Sequence, residues 1–169
     1  MPTDRLFFAL QPTLDAAVRI HALALRLGEV YGLTGKPLAL ENLHVTLCFL
    51  GEFDGVPLPL LARAEAMGQQ LHAAPFELAF DHVMSFERRH DPPLVLCRED
   101  ACAPLDELRR QLGADPAESF KPHITLRYAR RRIPLQQVAP ITWTVTEVLL
   151  IRSLVGRGHH EVLGSYPLR

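Results

Sequence analysis

Two copies of one short pattern carry the residues best suited to chemistry in this 169-residue chain: HVTL at 44–47 and HITL at 123–126. In an extended strand, residues two apart share a face, so each histidine has its threonine beside it: His44 with Thr46, and His123 with Thr125. In NLHVTLCFLG (42–51), Leu43, Val45, Leu47 and Phe49 are expected to form the core-side face, with Cys48 continuing the polar one. In PHITLRYAR (122–130), Ile124, Leu126 and Tyr128 take the core side, and Arg127 joins His123 and Thr125 on the other. Imidazole titrates near neutrality, so of two copies one can accept a proton while the other donates one. Threonine hydroxyls beside them would steady charge developing on a group held between. Arg127, with Arg130 just beyond, supplies paired donors and positive charge for an oxyanion such as phosphate. Lys121, Arg131 and Arg132 add to a basic rim. These residue types imply phosphoryl chemistry without metal.

A single histidine on a strand is usually a packed or hydrogen-bonded residue, and threonine favours strands for steric reasons. The repeat changes the balance. Two polar faces, on two strands close to half the chain apart, are most simply explained as the two walls of one cleft. A non-catalytic nucleotide- or RNA-binding module would have no need of two proton-transfer groups. A metal-dependent hydrolase would need clustered carboxylates or a third ligand, and the sequence has no HExxH or similar spacing.

The elements that must position these motifs follow from periodicity and breakers. A strand is expected at 5–10 and an amphipathic helix at 14–31, capped by Thr13, with Leu14, Val18, Ala22 and Leu25 recurring at helical spacing. The first motif strand covers 43–50 and stops at Gly51; a second helix covers 59–73, with Leu61, Ala64, Met67 or Gly68, and Leu71 along one side. Strands at 76–87 and 93–99 flank the charged loop RRHDP, and a short helix covers 105–112. Strands at 121–129, 143–154 and 160–168 complete the chain. The expected class is α+β, largely antiparallel, as one domain of residues 1–169. Its two lobes would carry one motif each, at 44–47 and 123–126.

Composition bounds the rest. The formal net charge is −1, so affinity for nucleic acid must come from a local patch. No apolar run approaches the roughly 18 residues of a membrane span, and the start of the chain does not read as a signal peptide. Cys48, Cys97 and Cys102 are odd in number and lack metal spacing, which implies a reducing, cytoplasmic setting without disulfides. Nothing suggests an obligate protein partner, so a monomer is expected. His159 and His160 read as a surface hairpin, and His21, His72, His82 and His90 as partnerless surface, strand or loop residues.

With RLFFAL at the start, ENLHVTLCFLGE, the FKPHITL run and the closing HEVLGSYPL, the chain resembles the two-histidine (2H) phosphoesterase superfamily. It is most similar to the branch of RNA 2′,3′-cyclic phosphodiesterases also called 2′-5′ RNA ligases. The resemblance implies a bilobal fold with pseudo-twofold symmetry, antiparallel sheets lining a central cleft and helices packed outside. It implies hydrolysis of a terminal 2′,3′-cyclic phosphate to a 2′-phosphomonoester, with 2′-5′ ligation as the near-reversible counterpart and no cofactor. The implied substrate is an RNA or oligonucleotide end. By carry-over, His44 protonates the departing ribose 3′-oxygen, His123 activates water, and Thr46 and Thr125 bind the non-bridging oxygens. Many members carry an arginine five residues after the second histidine. Tyr128 stands there in this chain, which leaves Arg127 or Arg130 as the expected phosphate-binding group. Phe7 or Phe8 is placed to stack on a terminal base.

Overall fold

The computed structural model describes residues 1–88 and 90–169; Arg89, in the loop RRHDP, lies outside the described residues. The helices are α1 (Leu14–Tyr31), α2 (Leu58–Gln69) and α3 (Ala103–Gln111). The strands are β1 (Asp4–Leu10), β2 (Val45–Phe53), β3 (Phe76–Ser85), β4 (Pro93–Cys97), β5 (His123–Tyr128), β6 (Gln136–Val145), β7 (Glu147–Leu154) and β8 (His159–Pro167). The mixed α+β, antiparallel expectation holds. All the strands join one sheet in the order β6-β3-β4-β5-β2-β1-β7-β8.

The sheet has two four-stranded parts, joined where Val45 of β2 lies opposite Ile124 of β5. These are the residues that directly follow the two motif histidines, so the motif strands meet at the middle of the sheet. The parts are not halves of the chain. Strands β3 to β6 form one part, whereas the other combines β1 and β2 with β7 and β8. The expected single strand at 143–154 is really two. Residues up to Val145 pair with β3, and residues from Glu147 pair with β1 and β8. Only Thr146 separates the edge strand β6 from β7, so their ends lie within about 7 Å. Five strands intervene in the sheet order, which forces the sheet to curl.

Helix α1 begins where predicted, because the Thr13 hydroxyl accepts the Ala16 N–H and Asp15 complements the helix dipole. It ends at Gly32, which takes the left-handed conformation that glycine adopts without steric cost. Its buried face differs from the expected one. Ala16, Ala17, Ile20, Leu23, Ala24 and Leu27 are buried, while Leu14, Val18 and Leu25 face solvent. Both sets have helical spacing; small residues decide between them, because alanines and Gly28 let the helix approach β5 and β6. Helix α1 thus follows β1 but packs on the other part of the sheet, and α3 follows β4 yet packs on β2. Each ties one part to the other. Helix α2 lies on β7 and β8, where a Cβ at Gly68 would come within 2.4 Å of the Tyr166 ring. One core runs through both parts, with Phe8 and Phe80 fully buried; each contributes about 1.5–3 kcal/mol.

Candidate active site

Both motif strands break register at the same place. In β2, Ala9 lies opposite Thr46 and Phe8 opposite Cys48, so Leu47 is an extra residue. In β5, Val95 lies opposite Thr125 and Leu94 opposite Arg127, so Leu126 is extra. The leucine of each His-x-Thr-Leu is therefore a β-bulge, and a bulge inverts the facing of the residues that follow it, in β2 as far as a second register shift at Leu50. The surplus carbonyls find partners outside the ladder: Leu126 O accepts the Leu38 N–H at 2.9 Å, and Leu47 O accepts Arg109 Nε–H at 3.0 Å. The bulges explain four departures from simple alternation, among them Cys48, which turns to the core side. Phe49 is not a core residue but 54% exposed on the cleft, and Tyr128 likewise faces the cleft at 46%. Arg127 turns inward. The residue five after each histidine is thus an aromatic ring on the cleft wall.

His44, Thr46, His123 and Thr125 line one cavity of about 520 Å³. The two histidines are held alike. His44 Nδ1 lies 2.8 Å from Asn42 O, and His123 Nδ1 lies 2.8 Å from Lys121 O. A carbonyl can only accept, so each Nδ1 carries the hydrogen and each neutral ring keeps a lone pair on Nε2. An aromatic ring braces each imidazole. Phe7 stacks on His44 at 5.1 Å between centroids, and Phe86 meets His123 edge-on at 4.6 Å. Burial pulls the His44 pKa down to about 4, aided by the charges of His160 and His123 and opposed by the Asn42 carbonyl. The His123 pKa is also lowered by burial, again against the pull of its carbonyl partner. Both rings are neutral at pH 7 in the empty cleft.

Neither expected arginine reaches this cavity. Arg127 is 4% exposed, with Nη1 donating to Ala24 O and Nη2 to Gly35 O, its guanidinium against Gly28 of α1. Arg130 is an exposed surface residue 3.7 Å from Asp91. The arginine that does line the cleft is Arg5 of β1, whose Nε donates to Glu52 Oε1 at 2.7 Å. Phe7 lines the cavity but is committed to His44, whereas Phe8 is core, near Tyr166. Cys48 turns to the core side, its Sγ 3.7 Å from Leu112 O. His21 and His82 do have partners: Nδ1 of each meets Leu38 O and the Asp81 carboxylate respectively. The cysteines are free, as expected.

His160 was missed by the sequence reading. It lines the cavity, its ring edge-on to His44 at 5.0 Å and near Phe7 at 5.9 Å. Adjacent strand residues face opposite ways, so one of His159 and His160 had to face the cleft side. That signal is present in the sequence. Among the described residues, no group of three His, Cys, Asp or Glu side chains is arranged to hold a metal ion. No helix among them is long and apolar enough to cross a membrane.

Paired imidazoles over a cleft, in a curled antiparallel sheet doubled about its centre, define the two-histidine phosphoesterase class. Residues 12–157 match the 2′-5′ RNA ligase superfamily, and the chain belongs to it. A protein named RNA 2′,3′-cyclic phosphodiesterase from Thermus thermophilus is 32% identical, over 79% of this chain and 76% of that one. Another of that name, from Archaeoglobus fulgidus, is 32% identical over 64% of each chain. The crystal structure of E. coli LigT in apo form aligns with a TM-score of 0.81 at 25% identity, covering 99% of both chains. LigT complexed with 3′-AMP aligns with a TM-score of 0.77 at 25% identity, also over 99% of both.

Proposed function

We propose that this protein hydrolyses the terminal 2′,3′-cyclic phosphate of RNA to a 2′-phosphomonoester, without metal, and runs 2′-5′ ligation as the counterpart reaction. The observation that carries this reading is the matched pair of imidazoles, each fixed as the Nδ1–H tautomer over one cavity, with Thr46 and Thr125 beside them. Both relatives' names and the 3′-AMP held by LigT support it. His123 Nε2 takes a proton from water as its oxygen attacks phosphorus, and protonated His44 gives its Nε2 proton to the departing 3′-oxygen. Thr46 and Thr125 donate to the non-bridging oxygens as charge builds there. The bound phosphate anion supplies the stabilisation that His44 needs to hold its proton, since burial disfavours the charged ring. Arg5 replaces Arg127 and Arg130 as the cation facing the phosphate. Free cysteines suit a reducing cytoplasm, and a monomer suffices because all of these residues come from one chain.

The test is a short RNA with a 2′,3′-cyclic phosphate end, incubated with the protein in EDTA. A phosphatase-sensitive product that keeps its phosphate on the 2′-oxygen is expected. His44→Ala and His123→Ala should each lower turnover by about 10²–10⁴-fold with the far-UV circular dichroism unchanged. Near-full activity in either variant defeats the paired-histidine mechanism.

A further inference from the structure

A second cavity, of about 430 Å³, adjoins the first and shares Thr46, Phe49 and His123 with it. His44 lines only the first cavity. The second therefore opens on the histidine that activates the nucleophile and not on the one that serves the leaving group. Its volume falls within the range of about 300–1,000 Å³ spanned by small-molecule sites. Its walls have the chemistry of a nucleoside site. Phe49 stands half-exposed where the two cavities meet. Phe120 lies 3.7 Å beneath the Arg109 guanidinium, which also approaches Glu118; Lys121 is paired with Glu99, and Arg109, Glu118 and Lys121 all line the cavity. Exposed aromatic faces such as that of Phe49 stack on bases.

We propose that this cavity is the acceptor subsite of the 2′-5′ transfer reaction, holding a nucleoside by its base on Phe49 and presenting its 5′-hydroxyl to His123. The inference rests on the cyclic phosphodiesterase reading above. In the transfer, the 5′-oxygen forms a bond to phosphorus as the bond to the 3′-oxygen breaks. The 5′-hydroxyl proton passes to His123 and the His44 proton to the 3′-oxygen, so one phosphodiester anion becomes another with no co-reactant. Hydrolysis is the same step with water in the subsite. The position of Phe49 is set by the Leu47 bulge; without it the ring would lie in the core.

The experiment partitions one substrate between two products. RNA ending in a 2′,3′-cyclic phosphate is incubated in EDTA with rising adenosine, or with methanol, and the 2′-phosphate and the 2′-5′-linked product are quantified together. Transfer to adenosine should saturate and exceed transfer to methanol, mole for mole, by about 10- to 100-fold, the gain from stacking one base. 5′-Deoxyadenosine, which lacks the nucleophile, should compete with adenosine. Ser119→Trp, at the exposed rim of the cavity, should lower the transfer-to-hydrolysis ratio at least about tenfold. Adenosine no better than methanol, with 2′-phosphate still forming, overturns the subsite and leaves the hydrolytic reading standing. Absence of both products overturns the two together.

Discussion

The low pKa of His44 should appear as a pH-dependent loss of stability that a single substitution removes. Folded His44 titrates near 4 because it is buried beside Phe7 and His160, whereas the unfolded chain's imidazole titrates near 6.5. The unfolded state thus binds more protons between these values. The stabilisation is present in full above pH 6.5 and is lost as pH falls toward 4. By pH 4.5 the gap corresponds to at most about 2.5 kcal/mol at about 1.36 kcal/mol per pH unit, and the partly open cleft brings the expected loss to about 1–2 kcal/mol. The comparison variant is His44→Asn, whose amide keeps a donor toward the Asn42 carbonyl but does not titrate. Urea unfolding of both proteins between pH 8 and 4.5, in phosphate-free buffer, gives two curves whose difference isolates His44 and its coupling to His160 and His123. If wild type and variant lose stability in parallel, within about 0.5 kcal/mol, the ring is not held neutral by its surroundings and the argument fails.

The pH profile of kcat/KM should be a bell with its maximum below pH 6.5, because both imidazoles of the free cleft have lowered pKa values. An optimum above 7 would contradict the burial argument. Arg127→Leu should cost about 2–4 kcal/mol, since it leaves the Ala24 and Gly35 carbonyls without their buried donor. The folded fraction should bind substrate with an unchanged KM. Arg130→Ala should move neither stability, beyond about 0.5 kcal/mol, nor KM. A large KM increase in Arg130→Ala, read from initial rates, would restore that residue to the phosphate site.

The catalytic pair was legible because its signal is local and repeated: residue types at fixed spacing, twice. The element order was legible for a similar reason, with Thr13 and Gly32 marking the ends of α1 on either side of a clear period. What failed was phase. A bulge is invisible to alternation, so alternation puts Cys48, Phe49, Tyr128 and Arg127 on the wrong side of strands whose existence it gets right. Of strand β6 (Gln136–Val145) only residues 143–145 fall within an expected strand; Pro140 lies in the stretch before them, and at the sheet's edge proline costs no ladder hydrogen bond. The exposed Leu14, Val18 and Leu25 show that a helix with two apolar stripes needs knowledge of its neighbour before its buried side can be chosen.

Pairing of β1 with β7 has a consequence for synthesis on the ribosome. Residues 76–145 supply a contiguous four-stranded unit that can pair as it emerges. Strand β1, made first, has β7 as its neighbour on one side and must wait for residues 147–154 before that edge is covered. The wall that carries His44 and Phe7 is therefore completed after the unit that carries His123. Assembly of the His44 wall thus waits on synthesis of β7, whereas the 76–145 unit that carries His123 can pair without it.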